Sequence, residues 1–432
     1  MPLQKVFEID RVKIKVYGGL NEIGGNCIVI EEGNRKVVFD NGVRFSLLRR
    51  FYGGKIEPLG PTELRSLGIV PPVDVFQEAQ ALYISHLHLD HTGLLSLIPP
   101  TLRVKVPSVR VLSNTLATWY KAHKSWLAYV PPDYMEEIGE VKPKGEDENR
   151  VIAIPVSHSC FPSYSFLYLG EEKTIFYSGD LRFESLAGVC RQLNEVLEEV
   201  GIERVDVAIL EGTNFSGEQA LVTPSVFRES ISLVLKEYEL ISISTDPLDL
   251  ETFVTVSDLS LMLGRDIVIG SERLLWILDE VGEVRPQLLD RTYVSDELET
   301  PVPILLKSVS LKNDVLRNPG NYTLLVDPMG LLRTLRKLKM WEDEVNLVGS
   351  VVVLMDPEPR ESIREVEEEV LRTWLKAFGM QTVRLRLSGH YLPHQFRDII
   401  ETLKPRELIP IHTEDAETMK RLFRKFCAKS IK

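Results

Sequence analysis

Three histidines and an aspartate crowd into the stretch His86-Leu87-His88-Leu89-Asp90-His91. The stretch follows Ala81–Ser85, an apolar run that reads as a strand. On an extended chain, residues two apart point the same way, so His86 and His88 can grip one ion together. A turn after them aims Asp90 and His91 toward a second ion. Imidazole and carboxylate are borderline to hard ligands that suit zinc, manganese or iron. The bland alternative is a histidine-rich surface loop. The whole chain has eight histidines, and chance poorly explains three of them sharing six positions with an aspartate.

A second pattern is independent of that motif. Several apolar runs end in a residue able to bind metal or move protons. Lys36–Phe39 ends at Asp40, Val151–Val156 leads to His158, and Thr174–Tyr177 leads to Asp180. Val207–Leu210 ends at Glu211, Arg384–Leu387 leads to His390, and Leu408–Ile411 ends at His412. If these runs are strands, their carboxyl ends can gather at one edge of the fold, where α/β proteins commonly place their sites. Only His123 and His394 stand outside the pattern; both read as surface residues.

The elements that must position these residues are those of an α/β protein. Val12–Tyr17, Cys27–Glu31 and Lys36–Asp40 follow one another closely, as antiparallel hairpin strands do. From about residue 223 to 382 the pattern changes. Thr223 caps a helix that begins at Pro224. Apolar runs at Leu240–Ser244, Asp266–Ile269, Val302–Leu306, Tyr322–Val326 and Val348–Leu354 then alternate with helical stretches. Strands separated by helices imply parallel pairing, so this segment reads as a domain of its own.

With 432 residues and 44% hydrophobic content, the chain can bury more than one core. No apolar run approaches the roughly 20 residues that span a bilayer. The N-terminus has no apolar core or cleavage pattern, so the expected location is cytoplasmic, with no membrane partner. Cys27, Cys160, Cys190 and Cys427 form no Cys-x-x-Cys pair, so any metal relies on imidazole and carboxylate. The net charge of −12 argues against a tight, non-specific nucleic-acid binder but leaves room for a local basic groove. Lys420, Arg421, Arg424, Lys425, Lys429 and Lys432 form one basic cluster; Arg333, Arg336, Lys337 and Lys339 form another. Both read first as solvated helix faces.

The ordered set of motifs resembles the metallo-β-lactamase superfamily, in the β-CASP branch that includes ribonuclease J. Asp40 in Phe-Asp-Asn-Gly resembles the first motif, His86 to His91 the second, His158 in Ser-His-Ser the third and Asp180 in Ser-Gly-Asp the fourth. Glu211 in Leu-Glu-Gly-Thr, His390 in Ser-Gly-His and His412 in Pro-Ile-His resemble the branch's own three motifs. The stretch Gly18-Gly-Leu-Asn-Glu-Ile-Gly-Gly-Asn26 resembles the opening of ribonuclease J. The resemblance implies an αββα sandwich built from residues 1–215 and 381–432, with a Rossmann-like β-CASP domain inserted as residues 216–380.

It also implies a site. His86, His88 and His158 would hold one divalent metal, zinc or else manganese. Asp90, His91 and His412 would hold the other, with Asp180 bridging. Two close cations lower the pKa of a water and stabilise charge on substrate oxygens. His390 is then left as candidate general acid, with Glu211 orienting it. Asp40 reads as a carboxylate that fixes the tautomer of a ligating histidine. The leading expectation is a metal-dependent phosphodiesterase or ribonuclease of RNA processing or decay, acting on RNA or single-stranded nucleic acid. A hydrolase of a small-molecule phosphodiester, thioester or lactone keeps the metal site and changes the substrate. An inactive RNA-processing scaffold is the third reading, which the complete ligand set disfavours. Endo- versus exonuclease action, metal identity and oligomeric state stay open at this level.

Overall fold

The computed structural model describes residues 5–53, 56–123, 138–216, 222–298, 306–339, 347–355 and 362–430. They form two compact units. The first comprises residues up to 185, 190–220 and 389–432; the second comprises 186–189 and 221–388.

The first unit is a sandwich of two sheets. One sheet runs in chain order through β1 (Lys5–Ile9), β2 (Val12–Gly18), β3 (Cys27–Glu32), β4 (Arg35–Phe39), β5 (Ala81–Tyr83), β6 (Arg103–Val106) and β7 (Gly139–Glu140). Its first four strands pair antiparallel, as their close spacing predicts, and β4 to β7 pair parallel. Alternation explains β2: Val12, Ile14 and Val16 are buried, while Lys13 and Lys15 face outward. The other sheet takes β8 (Val151–Val156), β9 (Ser163–Leu169), β10 (Thr174–Tyr177) and β11 (Val207–Glu211). A fifth strand, Glu407–Ile411, comes from the far end of the chain and pairs parallel with β11. The C-terminal segment therefore completes the fold that the N-terminal segment begins.

Strand β8 has apolar residues on both faces because both faces are covered. Val151 and Ala153 join Phe39, Tyr83, Phe166 and Tyr177 in the core between the sheets. Ile152, Ile154 and Val156 join a second core with Leu193, Val196 and Leu197 and with Phe396, Ile399, Ile400 and Leu403, which come from two helices on the outer face. Each fully buried side chain of this kind is worth about 1.5–3 kcal/mol relative to exposure.

The second unit is built on one parallel sheet. Its strands are β12 (Ile241–Ser244), β13 (Asp266–Ile269), β14 (Thr292–Ser295), β15 (Lys307–Val309), β16 (Tyr322–Val326), β17 (Val351–Leu354) and β18 (Gln381–Arg384). The spatial order is β15-β14-β13-β16-β12-β17-β18, every pairing parallel. Thr223 caps the helix Pro224–Glu237, its hydroxyl accepting from Val226 N at 3.3 Å. With these strands numbered, Glu407–Ile411 is β19.

The structure differs from the sequence pattern in several places. The run Arg384–Leu387 is not a strand: β18 ends at Arg384, and residues 385–388 are irregular. Because β18 pairs with β17, the sheet of the second unit runs past residue 380, and the chain returns to the sandwich at Gly389. Strands β9 and β14, which the apolar pattern did not single out, mix serine, threonine and tyrosine with aliphatics and owe their conformation to their neighbours. The run Val302–Leu306 lies outside the described residues except for Leu306. Among the described residues no helix is long and apolar enough to cross a membrane.

Candidate metal centre

The strand ends do gather. His86 lies just past β5, and His88 N-caps the short helix Leu89–Thr92, which carries Asp90 and His91. His158 follows β8, Asp180 follows β10, Glu211 ends β11 and His412 follows β19. The ligand atoms fall into overlapping groups, each within 4.8 Å: His86, His88 and His158; His86, His91 and Asp180; Asp90, His91 and His412; and His158, Asp180 and His390. Asp180 Oδ2 lies 3.2 Å from His91 Nε2 and 3.8 Å from the Nε2 atoms of both His86 and His158. His412 Nε2 lies 3.7 Å from Asp90 Oδ2. All seven residues expected to hold metal are thus in one cluster, with Asp180 at its middle.

Backbone conformation takes part in this. Asp40 and His412 are both non-glycine residues in the left-handed region, with φ of 61° and 50°. Such strain costs roughly 1–3 kcal/mol and persists where surrounding bonds over-determine it. Here His412 N donates to Gly19 O at 2.6 Å, and Ser85 N donates to Asp40 Oδ1 at 2.7 Å. Gly389 is needed for close approach. A Cβ there would lie 2.2 Å from Ser159 Oγ and 3.0 Å from His158 Cε1. Its carbonyl accepts from His158 Nδ1 at 2.6 Å.

The donor set fits divalent cations. His88 Nδ1 is 3.1 Å from His86 Nε2 and 3.2 Å from His158 Nε2. Tetrahedral ligands at about 2.0–2.1 Å from zinc stand roughly 3.3–3.4 Å apart. The far nitrogens of the same rings are already engaged: His86 Nδ1 with Ser85 Oγ at 3.1 Å, and His158 Nδ1 with Gly389 O. His91 Nδ1 donates to Asp40 Oδ2 at 2.7 Å, and His412 Nδ1 donates to Asn26 Oδ1 at 3.2 Å. Each of these four rings, when neutral, therefore turns a lone pair inward. Asp180 Oδ1 is buried and finds no hydrogen-bond partner among the described residues, while the equally buried His91 Nε2 stands 3.2 Å from the other Asp180 oxygen. Buried polar atoms are rarely left so unless something else binds them.

The electrostatics agree. Burial pushes His86 well below the usual imidazole range, and the neighbouring imidazoles add to it. Burial likewise depresses His158 strongly and lowers His412. Those rings are neutral, as ligands must be. Burial would lower His91 too, but Asp180 and Asp40 outweigh it and hold His91 well above its ordinary value. Burial would raise Asp180, yet His412, His91 and His390 keep it well below the usual carboxylate range. The cluster holds its anionic charge at a point where a cation can replace a proton.

His390 is placed differently. Its Nδ1 donates to Glu211 Oε1 at 3.1 Å and lies 3.8 Å from Asp180 Oδ2, with the side chain 12% exposed. The other Glu211 oxygen accepts from Thr213 N at 2.9 Å. Asn214 Nδ2 supports the loop by donating to the His390 and Tyr391 carbonyls. Asp40 is fully buried and accepts from Ser85 Oγ, His91 Nδ1 and Tyr177 Oη. Of the two histidines outside the strand-end pattern, His394 is exposed, and the side chain of His123 lies outside the described residues. Sequence reasoning did not assign Asn26, Ser85, Tyr177 or Asn214. Asn26 stood in a glycine-rich stretch already noticed; nothing local marked the others.

Comparison with known proteins follows this geometry. Residues 20–192 match the model of the metallo-beta-lactamase superfamily. The chain is 24% identical to ribonuclease J of Pyrococcus abyssi, covering 94% of this chain and 91% of that protein. Against ribonuclease J of Methanocaldococcus jannaschii the identity is 20%, covering 93% and 91%. A crystal structure of a protein of unknown function from Enterococcus faecalis superposes with a TM-score of 0.69 at 18% identity, over 94% of each chain. That likeness speaks for the fold. The chain thus carries a metallo-β-lactamase domain, and along nearly its whole length it is similar to proteins named ribonuclease J.

Proposed function

We propose that this protein is a metal-dependent ribonuclease that cuts phosphodiester bonds with two divalent cations, zinc or else manganese. The observation that carries the reading is the convergence of His86, His88, Asp90, His91, His158, Asp180 and His412, whose nitrogen and carboxylate atoms fall into overlapping groups within 4.8 Å. His86, His88 and His158 would hold one ion and Asp90, His91 and His412 the other, with Asp180 between them. When bound, the ions supply Lewis-acid stabilisation of phosphate oxygens and lower the pKa of nearby water. RNA as substrate is supported by the similarity, along nearly the whole chain, to proteins named ribonuclease J.

The remaining work falls to the chain's own residues. His390 has Nδ1 committed to Glu211, which leaves Nε2 to hand a proton to the departing oxygen. Glu211 is fully buried, and Thr213 N fixes its second oxygen, so it holds the ring in one orientation. Asp40 orients His91 from behind.

The test is incubation of purified protein with labelled RNA carrying different 5′ ends, with zinc, with manganese and with chelator. Asp90→Ala runs beside it. Metal-dependent cleavage lost in the variant is the expected result. Intact RNA alongside cleavage of bis(p-nitrophenyl) phosphate or a lactone would move the substrate to a small molecule.

A further inference from the structure

Behind the ligands lies a hydrogen-bonded chain whose polarity follows from a single carboxylate. Asp40, 0% exposed, can only accept. Tyr177 Oη therefore gives its one proton to Asp40 Oδ2, at 2.5 Å. The Tyr177 oxygen is left to accept, and its second neighbour is the Asn26 amide at 3.2 Å. Asn26 must turn its NH2 toward Tyr177, which turns its carbonyl toward His412 Nδ1, also at 3.2 Å. An amide carbonyl only accepts, so His412 carries its proton on Nδ1. Asn26, Tyr177 and Asp40 are all fully buried and His412 nearly so, which leaves no water to satisfy an opposite arrangement.

We infer that Tyr177 and Asn26 are positioning residues that relay the acceptor-only character of Asp40 to His412 and so keep a lone pair on His412 Nε2. The inference rests on reading the cluster as a two-metal centre and adds to it a direction of control. Asp40 acts on His91 directly, and on His86 through Ser85, whose hydroxyl donates to Asp40 and accepts from His86 Nδ1. It acts on His412 across two intervening side chains. One buried carboxylate thus sets the tautomers of ligands in both halves of the cluster. The longest arm serves only the half made of Asp90, His91 and His412. Removing the Tyr177 hydroxyl frees the Asn26 amide to rotate. Its NH2 can then face His412 Nδ1 and favour the tautomer with a proton on Nε2, where an ion should bind.

Full-length protein stripped by chelator is titrated with zinc against a chromophoric competitor. Wild type is expected to take up two ions. Tyr177→Phe should bind one ion as before and the second about 10–100-fold more weakly, the usual size of an outer-shell loss. Adding Asn26→Asp to Tyr177→Phe should restore the second ion, because a carboxylate presents an acceptor to His412 whichever way it turns; a merely structural tyrosine would not be rescued so. Unchanged affinities in Tyr177→Phe, or no rescue in the double variant, overturn the relay. If Tyr177→Phe does not fold, 15N-histidine NMR of zinc-loaded wild type decides, with the His412 signals assigned by their loss in His412→Gln. A proton on Nδ1 supports the relay, and one on Nε2 overturns it. Wild type that takes up fewer than two ions instead overturns the two-metal reading itself, a result the variants do not mimic.

Discussion

His91 Nε2 faces Asp180 Oδ2 at 3.2 Å, with both side chains shut away from solvent and the far nitrogen of His91 tied to Asp40. Without metal, the proton on His91 is what balances the two carboxylates. Its raised pKa means that this stability is complete below the ordinary value of 6.5 and is lost as pH climbs through the folded value. His86, His158 and His412 are displaced the other way, mainly by burial. Each takes up a proton on unfolding, so their contribution falls once pH drops below 6.5. Asp180, held low, adds a loss only at far lower pH. Chelated protein should therefore lose stability as pH falls from neutral toward about 5, by up to about 1.4 kcal/mol per pH unit for each of the three rings, and its melting temperature should fall with it. A second, smaller loss should follow at alkaline pH as His91 gives up its proton. Saturating zinc should raise the melting temperature and flatten the alkaline limb; scanning fluorimetry with and without chelator reads both.

Asp180→Asn should remove the shared carboxylate while keeping its shape. Loss of outer-shell partners alone costs about 10–100-fold in metal affinity or activity, so loss of the central ligand should exceed about a hundredfold in RNA cleavage. Metal analysis after gel filtration should find fewer than two ions per chain. Full occupancy with full activity would remove Asp180 from the centre.

The His390–Glu211 pair predicts a dependence on leaving group. His390→Ala should slow RNA cleavage by about 10²–10⁴, the usual worth of a general acid. Cleavage of a p-nitrophenyl phosphodiester, whose leaving group needs no proton, should be slowed far less. Glu211→Gln should follow the same pattern more weakly, with metal content unchanged in both. Equal losses on both substrates would assign His390 to binding the ions rather than to proton transfer.

Gly389 makes a packing prediction. A methyl group there meets Ser159 Oγ at 2.2 Å and crowds the His158 ring. Gly389→Ala should destabilise the protein by about 1–3 kcal/mol, typical of overpacking. It should also weaken one ion, because the carbonyl that orients His158 moves with it. Paired melting curves and metal titrations check this, and a variant that binds both ions normally would show that the loop can yield.

Much of this protein is determined by its sequence alone, because much of it depends on residue type and short-range spacing. Two-residue alternation places Val12, Ile14 and Val16 inside and Lys13 and Lys15 outside, whatever lies beyond them. Imidazole and carboxylate suit divalent metal wherever several of them meet, so His86 to His91, His158, Asp180 and His412 were legible as candidate ligands at strand ends. The tertiary structure alone decided who stands behind them. Asn26 and His412 are 386 residues apart in sequence and 3.2 Å apart in space, and no local pattern brings an amide to that ring. Sequence could not tell Tyr177 from Tyr164 or Tyr168, which lie in the neighbouring strand; of the three phenols it is Tyr177, at the end of β10, that reaches Asp40. The left-handed turns at Asp40 and His412 were equally silent, since neither residue needs that conformation until the sheets close around it. Periodicity and ligand chemistry act over a few residues, whereas hydrogen-bond partners are chosen by register and sheet packing across the whole chain.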